Sequence, residues 1–416
     1  MEMNFKDKFM LERFEQILFF SPSEMERRWN LVRKVMRQQN VDYLIILEGS
    51  YEGYNHWFIG NRDCESILFP TAGAPIVVLG QDINTSSCYS VVRPVDFDRW
   101  ITRKPIDRIH PEIQYVRDFD ARDIKTSLSS GKRPRIAFIH PEVLLDNWYK
   151  AIYDVIGEFE MFDIGMALDA ERVIKSDEER FLIDRTNRMN EKLMAAAGHL
   201  LRPGRNLKSI TDELQYLATQ MGSGGHFVHL FCLNVSPQDE PSIDTMKRLP
   251  YPGVILHHGY KIFVLLETNG PGGYYSALGR FFILGKASEE MKKHWIMAVA
   301  AQQNAARLMK PGISVRQIFD ENYKFIIDSG YKTNQQNYLH SLGFQYGEQP
   351  YLNSPSENTP LRADMCYIAH PVIIRSYQGF DPNRTDGIFA LDTYFVTENG
   401  GVRANNFPQE IIELPF

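Results

Sequence analysis

Across the first 165 residues the hydrophobic positions alternate between helical spacing and short continuous runs. Ser23–Gln38 carries apolar residues at helical intervals behind a serine in a capping position, which predicts a helix. Tyr43–Leu47, Ser66–Phe69, Ala74–Leu79 and Arg135–Ile139 are apolar runs of strand length, and an aromatic loop follows the first of them. Strands separated by helices predict an α/β layer domain. Glu160–Ala167 leads into a long helical pattern, which places a domain boundary near residue 165 and gives domains of 1–165 and 166–416.

The second domain opens on Arg172-Val-Ile-Lys-Ser-Asp-Glu-Glu179. Ser176 followed three residues later by Glu179 is a capping-box pattern, with acidic residues where the helix dipole favours them, and the helix is expected to run to about His199. Leu201–Ile210 (LRPGRNLKSI) then resembles Met309–Ile318 (MKPGISVRQI). Each copy sets a Pro-Gly turn before a helix, with Gly222 and Gly330 at the same later offset, and Glu213 corresponds to Glu321. A repeat this long does not make a solenoid. It predicts a domain of two similar halves, each with a long helix, a turn, a second helix and strands.

A chain of 416 residues exceeds what one core usually organises, in keeping with two domains. Lys and Arg number 46 against 52 Asp and Glu, a net charge of −6, which argues against a nucleic-acid binder. Hydrophobic residues at 44% exclude global disorder. Cys64, Cys88, Cys232 and Cys366 are scattered, as reduced thiols in a cytoplasmic protein would be. Met1–Ser21 mixes both charge signs among its apolar residues, unlike a signal peptide, and no run approaches a membrane span.

Five motifs in order carry a resemblance to the creatinase/prolidase/methionine aminopeptidase (peptidase M24) superfamily. They are R-x-x-K-S-x-E-E at Arg172–Glu179, the Pro-Gly helix starts, G-Y-Y-S-A-L-G-R at Gly273–Arg280, H-S-L-G-x-x-x-G-E-x-P at His340–Pro350, and D-T-x-x-V-T-E-N-G at Asp392–Gly400. The resemblance implies an α/β N-terminal creatinase-like domain followed by an α+β pita-bread domain with internal pseudo-twofold duplication, assembled as a homodimer.

Metal-dependent members of that superfamily bind two divalent ions through two Asp, one His and two Glu. Carried over by position, the second aspartate falls on Ala277 and the two glutamates on His370 and Leu391. The first aspartate falls on Leu266, or on Glu267 if the loop Thr268–Gly272 is one residue shorter than the family's. His340 matches the metal histidine. At most three of the five positions offer a donor atom, so neither the dinuclear metal site nor any other cofactor is expected. The motif Gly273–Arg280 is closest to metal-free creatinase, including alanine at 277. Creatinase's guanidinium-gripping glutamates fall on Gly279 and His370, however, and its histidine base belongs in Asn234–Pro241, which offers Asp239 and Glu240 instead. Creatine is therefore a poor fit.

His340 and His370 remain as candidate base and acid, since two imidazoles facing one pocket split their titrations near neutral pH. Tyr275, Glu267 and Glu240 are candidate substrate contacts. Arg280 is expected in a buried ion pair, and Asp392 and Glu348 are expected to be structural, since the family's catalytic histidine before Glu348 is Gly347 here. His226 and His229 are spaced to share a helix or loop face. In Tyr51–Arg62 (YEGYNHWFIGNR) the resemblance implies a loop reaching the other subunit's site, with Arg62 clamping a substrate carboxylate. The resulting expectation is a cytoplasmic, metal-independent hydrolase or lyase of a small polar C–N compound, with no nucleic-acid or membrane partner. The alternatives are a non-catalytic relative that binds a ligand or partner, and a single-metal Xaa-Pro dipeptidase-like hydrolase using Glu267, His340 and His370.

Overall fold

The computed structural model describes residues 20–47, 54–59, 66–78, 114–116, 133–139, 141, 146–223, 225–232, 254–270, 272–333, 339–348, 358–374 and 387–416. They fall into two compact units, Leu18–Arg172 and Val173–Phe416.

The first unit is organised on a six-stranded mixed sheet. In chain order its elements are α1 (Pro22–Gln38), β1 (Tyr43–Leu47), α2 (Tyr54–Ile59), β2 (Ser66–Pro70), β3 (Ile76–Val78), β4 (Gln114–Val116), β5 (Arg135–Phe138), α3 (Asp146–Ile156), β6 (Glu160–Asp163) and α4 (Gly165–Arg172). The strands lie in the order β4-β3-β2-β1-β5-β6. All five residues of the central β1 are buried, which is why that segment reads as an unbroken apolar run. Helix α1 begins two residues earlier than its pattern indicates. Ser21, not Ser23, caps it by accepting a hydrogen bond from the Glu24 amide (3.2 Å), and Pro22 takes the first turn, where its missing N–H costs nothing. The aromatic segment after β1 also departs from expectation. Tyr54–Ile59 is a helix whose Tyr54, Trp57 and Phe58 rings are core, pinned by Arg28 and Trp29 donating to the carbonyls of Trp57 (2.7 Å) and Phe58 (2.9 Å). Arg62 lies outside the described residues.

The second unit runs α5 (Asp177–Leu200), α6 (Leu207–Gln220), β7 (Gly225–Cys232), β8 (Lys261–Asn269), β9 (Tyr275–Leu284), α7 (Glu289–Leu308), α8 (Val315–Asp328), β10 (Leu339–Ser341), β11 (Cys366–Ala369), β12 (Ile373–Ile374), β13 (Gly387–Ile388), β14 (Leu391–Thr397), β15 (Gly400–Arg403) and β16 (Ile412–Leu414). Ser176 and Glu179 form the capping box at the start of α5. The main sheet has the order β10-β11-β14-β9-β8-β7, with β15 beside β14 and β16 beside β9.

The repeated sequence becomes repeated structure. Gly204 and Gly312 both adopt positive φ (84° and 89°), and their amides donate to Leu256 (2.8 Å) and Leu361 (2.9 Å). Asn206 and Ser314 cap α6 and α8, and each forms an isolated bridge, to Ile255 and Pro360 respectively. Gly222 and Gly330 follow the two helices at φ 89° and 83°. Each half closes its own apolar core between its helix pair and its strands.

Candidate active site

Strand register decides which side chains reach the site. Glu267 on β8 stands opposite Ala277 on β9, while Leu266 pairs with Leu278. Successive side chains alternate faces. Leu266 and Leu278 enter the core beneath α5 and α6, so Glu267 and Ala277 share the other face. Of the two positions weighed for the first carboxylate, the structure puts Glu267 on the site face.

His340 lies on β10, and His370 directly follows β11. In the sheet order, β10 and β8 are four steps apart, about 19 Å at ~4.8 Å per step if the sheet were flat. A single side chain nevertheless touches residues of both. Tyr346, in the turn after β10, donates its hydroxyl to the Glu267 carboxylate and stands edge-on to the His340 ring, with centroids 5.1 Å apart. Only a strongly curled sheet permits this, and the residues meet on its concave face. The His370 ring is 5.5 Å from His340 and 5.8 Å from Phe389, and Tyr275 is 6.1 Å from Tyr346. Four expected residues, His340, His370, Tyr275 and Glu267, are thus brought together. Tyr346 was missed because no motif position marks it. Glu240, like Arg62, lies outside the described residues.

Electrostatics reassign the roles. Burial pushes the Glu267 carboxyl up to about 7, although the Tyr346 hydrogen bond favours its ionised form. Burial lowers His340, partly offset by its contact with the Ser341 carbonyl (3.1 Å from Nδ1). A carbonyl only accepts, so Nδ1 carries the proton of the neutral ring and Nε2 presents the lone pair. His370 is lowered to about 3, first by burial and then by His340. A ring that binds its second proton so weakly is not the acid expected from sequence. Glu267, half-protonated near neutrality, is better suited to that role. Glu267, Tyr346, His370 and Phe389 all keep partial solvent access, whereas the apolar core behind them has almost none.

The turn bearing Tyr346 is fixed from below. Lys175 and Glu348 form a buried ion pair, Glu348 also accepts from the Phe344 amide (2.9 Å), and Ser341 donates to the Glu348 carbonyl. A Cβ on Gly343 would lie 2.5 Å from the Glu348 carboxylate and 2.6 Å from the Lys175 ammonium, so a side chain there would have to displace the pair. Glu348 is therefore structural, as is the fully buried Arg280–Asp392 pair (2.7 Å), which Asn405 completes (2.9 Å). His226 and His229 fall on β7, not on a helix or loop. His257 and His258 are exposed at a turn.

The dinuclear donor set does not fit these residues. Ala277 and Leu391 have no donor. The position of creatinase's glutamate, Gly279, is closed as well. A Cβ there would meet the Phe263 ring at 2.6 Å and Leu391 at 3.0 Å. Phe263 in turn packs on Phe389 (4.6 Å) and Phe281 (4.8 Å), an aromatic wall beside Gly279. The single-metal alternative fares no better. Glu267 is engaged by Tyr346, and no group of three or more His, Cys, Asp or Glu among the described residues is placed to hold an ion.

Residues 181–398, just over half of the chain, match the Metallopeptidase family M24. The Xaa-Pro dipeptidase of Pyrococcus horikoshii is 23% identical over 251 residues, covering 58% of this chain and 65% of the relative, so the chain spans a little under two thirds of that protein's length. The probable dipeptidase PepE of Mycobacterium tuberculosis is 27% identical over 172 residues, 38% of this chain and 43% of the relative. Among solved structures, the Xaa-Pro dipeptidase from Bacillus anthracis superposes with a TM-score of 0.71 at 16% identity, over 94% of this chain and 100% of that one. Dipeptidase PepE from Mycobacterium ulcerans gives 0.69 at 20%, over 96% and 100%. The curled sheet with its duplicated helix pairs is the pita-bread fold of these structures, preceded by an α/β domain. The chain belongs to metallopeptidase family M24.

Proposed function

We propose that the chain is a metal-independent hydrolase of a C–N bond in a small polar compound, with His340 as base and Glu267 as acid. The observation that carries this is the continuous contact from Glu267 through Tyr346 to His340 on the concave face. Nε2 of His340 takes a proton from water as the hydroxide oxygen bonds to the carbonyl carbon. The C–N bond then breaks as Glu267 gives its proton to the departing nitrogen. One proton is gained by His340 and one lost by Glu267, and proton exchange with solvent restores both. In this reading neutral His370 and Tyr275 orient the substrate.

Relatives named as Xaa-Pro dipeptidases make Xaa-Pro dipeptides the first substrates to try. Screening these with small amides and guanidines, with and without chelator, tests the reading. Turnover that survives chelation and falls by ~10²-fold or more in His340→Ala and Glu267→Gln supports it. Turnover equal in wild type and His340→Ala sinks it, and turnover abolished by chelator sinks its metal independence. The same reading includes a homodimer in which Arg62 of a second copy clamps the substrate carboxylate. Mixing Arg62→Ala with His340→Ala subunits should then restore part of the activity that each lacks alone.

The Phe263 ring, packed on Phe389 and filling the space of a side chain at 279, favours a second reading, a non-catalytic relative that binds a ligand. Complete inactivity across the screen, with saturable binding of one compound, would select it.

A further inference from the structure

We propose that Tyr346 is the positioning residue of this site, holding the Glu267 carboxyl with its hydroxyl and the His340 imidazole with its ring. The inference rests on the acid–base reading above and assigns the device that makes it work.

Glu267 and His340 are borne by β8 and β10, which share no hydrogen bonds. The three strands between them set the curvature of the sheet but do not fix two side chains to within the few tenths of an ångström that proton transfer demands. Tyr346 contacts both, through its hydroxyl and its ring. Its own position is determined twice. From below, the Lys175–Glu348 pair and the side-chain-free Gly343 hold the turn. From the side, the Tyr275 amide donates to the Gly343 carbonyl (2.8 Å), tying the turn to β9. Gly347, where the family resemblance places a histidine, adds no side chain, so the hydroxyl of its neighbour is what this turn delivers to the concave face.

The chemistry of the contact is selective. A phenol hydroxyl donating to a carboxylate stabilises its ionised form, so Tyr346 restrains the upward pull of burial on Glu267. Burial and the adjoining carboxylate push the phenol's own ionisation up, so it stays a donor throughout the working range. Tyr346 thus fixes where Glu267 points and also the pH at which it releases its proton, while its ring sets the tilt of the base.

Tyr346→Phe keeps the ring on His340 and Tyr275 and removes only the hydroxyl. The Glu267 carboxyl, followed by carbon-13 NMR of selectively labelled protein, should then titrate at higher pH than in wild type. The alkaline limb of kcat/KM should move up with it, and kcat should fall by ~10-fold or more with KM little changed. Tyr346→Leu, which also releases the imidazole, should lower kcat further and shift the acidic limb. A Glu267 titration unmoved in folded Tyr346→Phe overturns the proposal, as does a moved titration that leaves the pH–rate profile in place. The NMR readout needs no substrate. A moved titration in a protein that turns nothing over would overturn the catalytic reading, and with it the positioning role, while confirming the contact alone.

Discussion

A carboxyl like Glu267, held protonated in the fold to about pH 7 but ionised in the unfolded chain above about 4.5, couples stability to pH with a definite sign. The folded state binds the extra proton, so the contribution is complete below about 4.5 and is lost as pH rises through 7. His370 has the opposite sense. Its depressed proton affinity adds stability above 6.5 that is lost as pH falls toward 3. The two slopes oppose each other between about 4.5 and 6.5, so denaturant midpoints should form a plateau there and fall on either side. Glu267→Gln should flatten the alkaline side, gaining about 1–3 kcal/mol at pH 8, and His370→Asn should flatten the acidic side. An alkaline slope equal in wild type and Glu267→Gln would refute the assignment. At this scale the sequence was informative about identity and blind to register. Spacing put the first carboxylate position on Leu266 and allowed Glu267 only through a one-residue change in the loop, and it is the pairing of β8 with β9 that puts Glu267 on the face of Ala277. Tyr346 was invisible because its role depends on the curl of the sheet, which no local pattern encodes.

Elements were more legible than residues wherever capping chemistry and periodicity agreed. The Ser176–Glu179 box starts α5 as written, and the buried runs became β1, β2, β3 and β5. The failure at Tyr54–Ile59 has a simple cause. Closely spaced aromatics beside Gly and Asn read as a loop, while Arg28 and Trp29, 29 residues earlier in sequence, supply the partners that make it a packed helix. The turn carrying Tyr346 depends on a far more distant partner, Lys175, 173 residues before Glu348. Removing one member of that pair leaves a buried charge, so Lys175→Met or Glu348→Gln should each cost about 3–5 kcal/mol, while replacing both with apolar residues should recover much of the loss. Urea denaturation of the three variants tests this, and additive losses would contradict it.

For the molecule as a whole, the duplication read from two Pro-Gly turns is the most complete success of sequence reasoning, because the Pro-Gly turns and the later glycines each correspond to matching backbone geometry. A Cβ on Gly204 or Gly312 would meet nothing within 4 Å, so Gly→Ala at either site should cost only the backbone penalty of positive φ, about 1 kcal/mol, and similarly in both halves. Unequal costs differing by more than that amount would show that the halves bear load differently. Among the described residues no helix is long and apolar enough to cross a membrane.

The ring of Phe263 lodged where a side chain at 279 would stand also governs what this scaffold can regain. Restoring acidic residues singly is obstructed by order. Gly279→Glu drives a carboxylate into an aromatic ring and should destabilise by at least ~1–3 kcal/mol, whereas the same change made after Phe263→Ala has room to be accommodated. Thermal melts of the two single variants and the double should show that compensation. If they do, the path back to an acidic site passes through the aromatic wall first, and the present state is protected from simple reversion by its own packing.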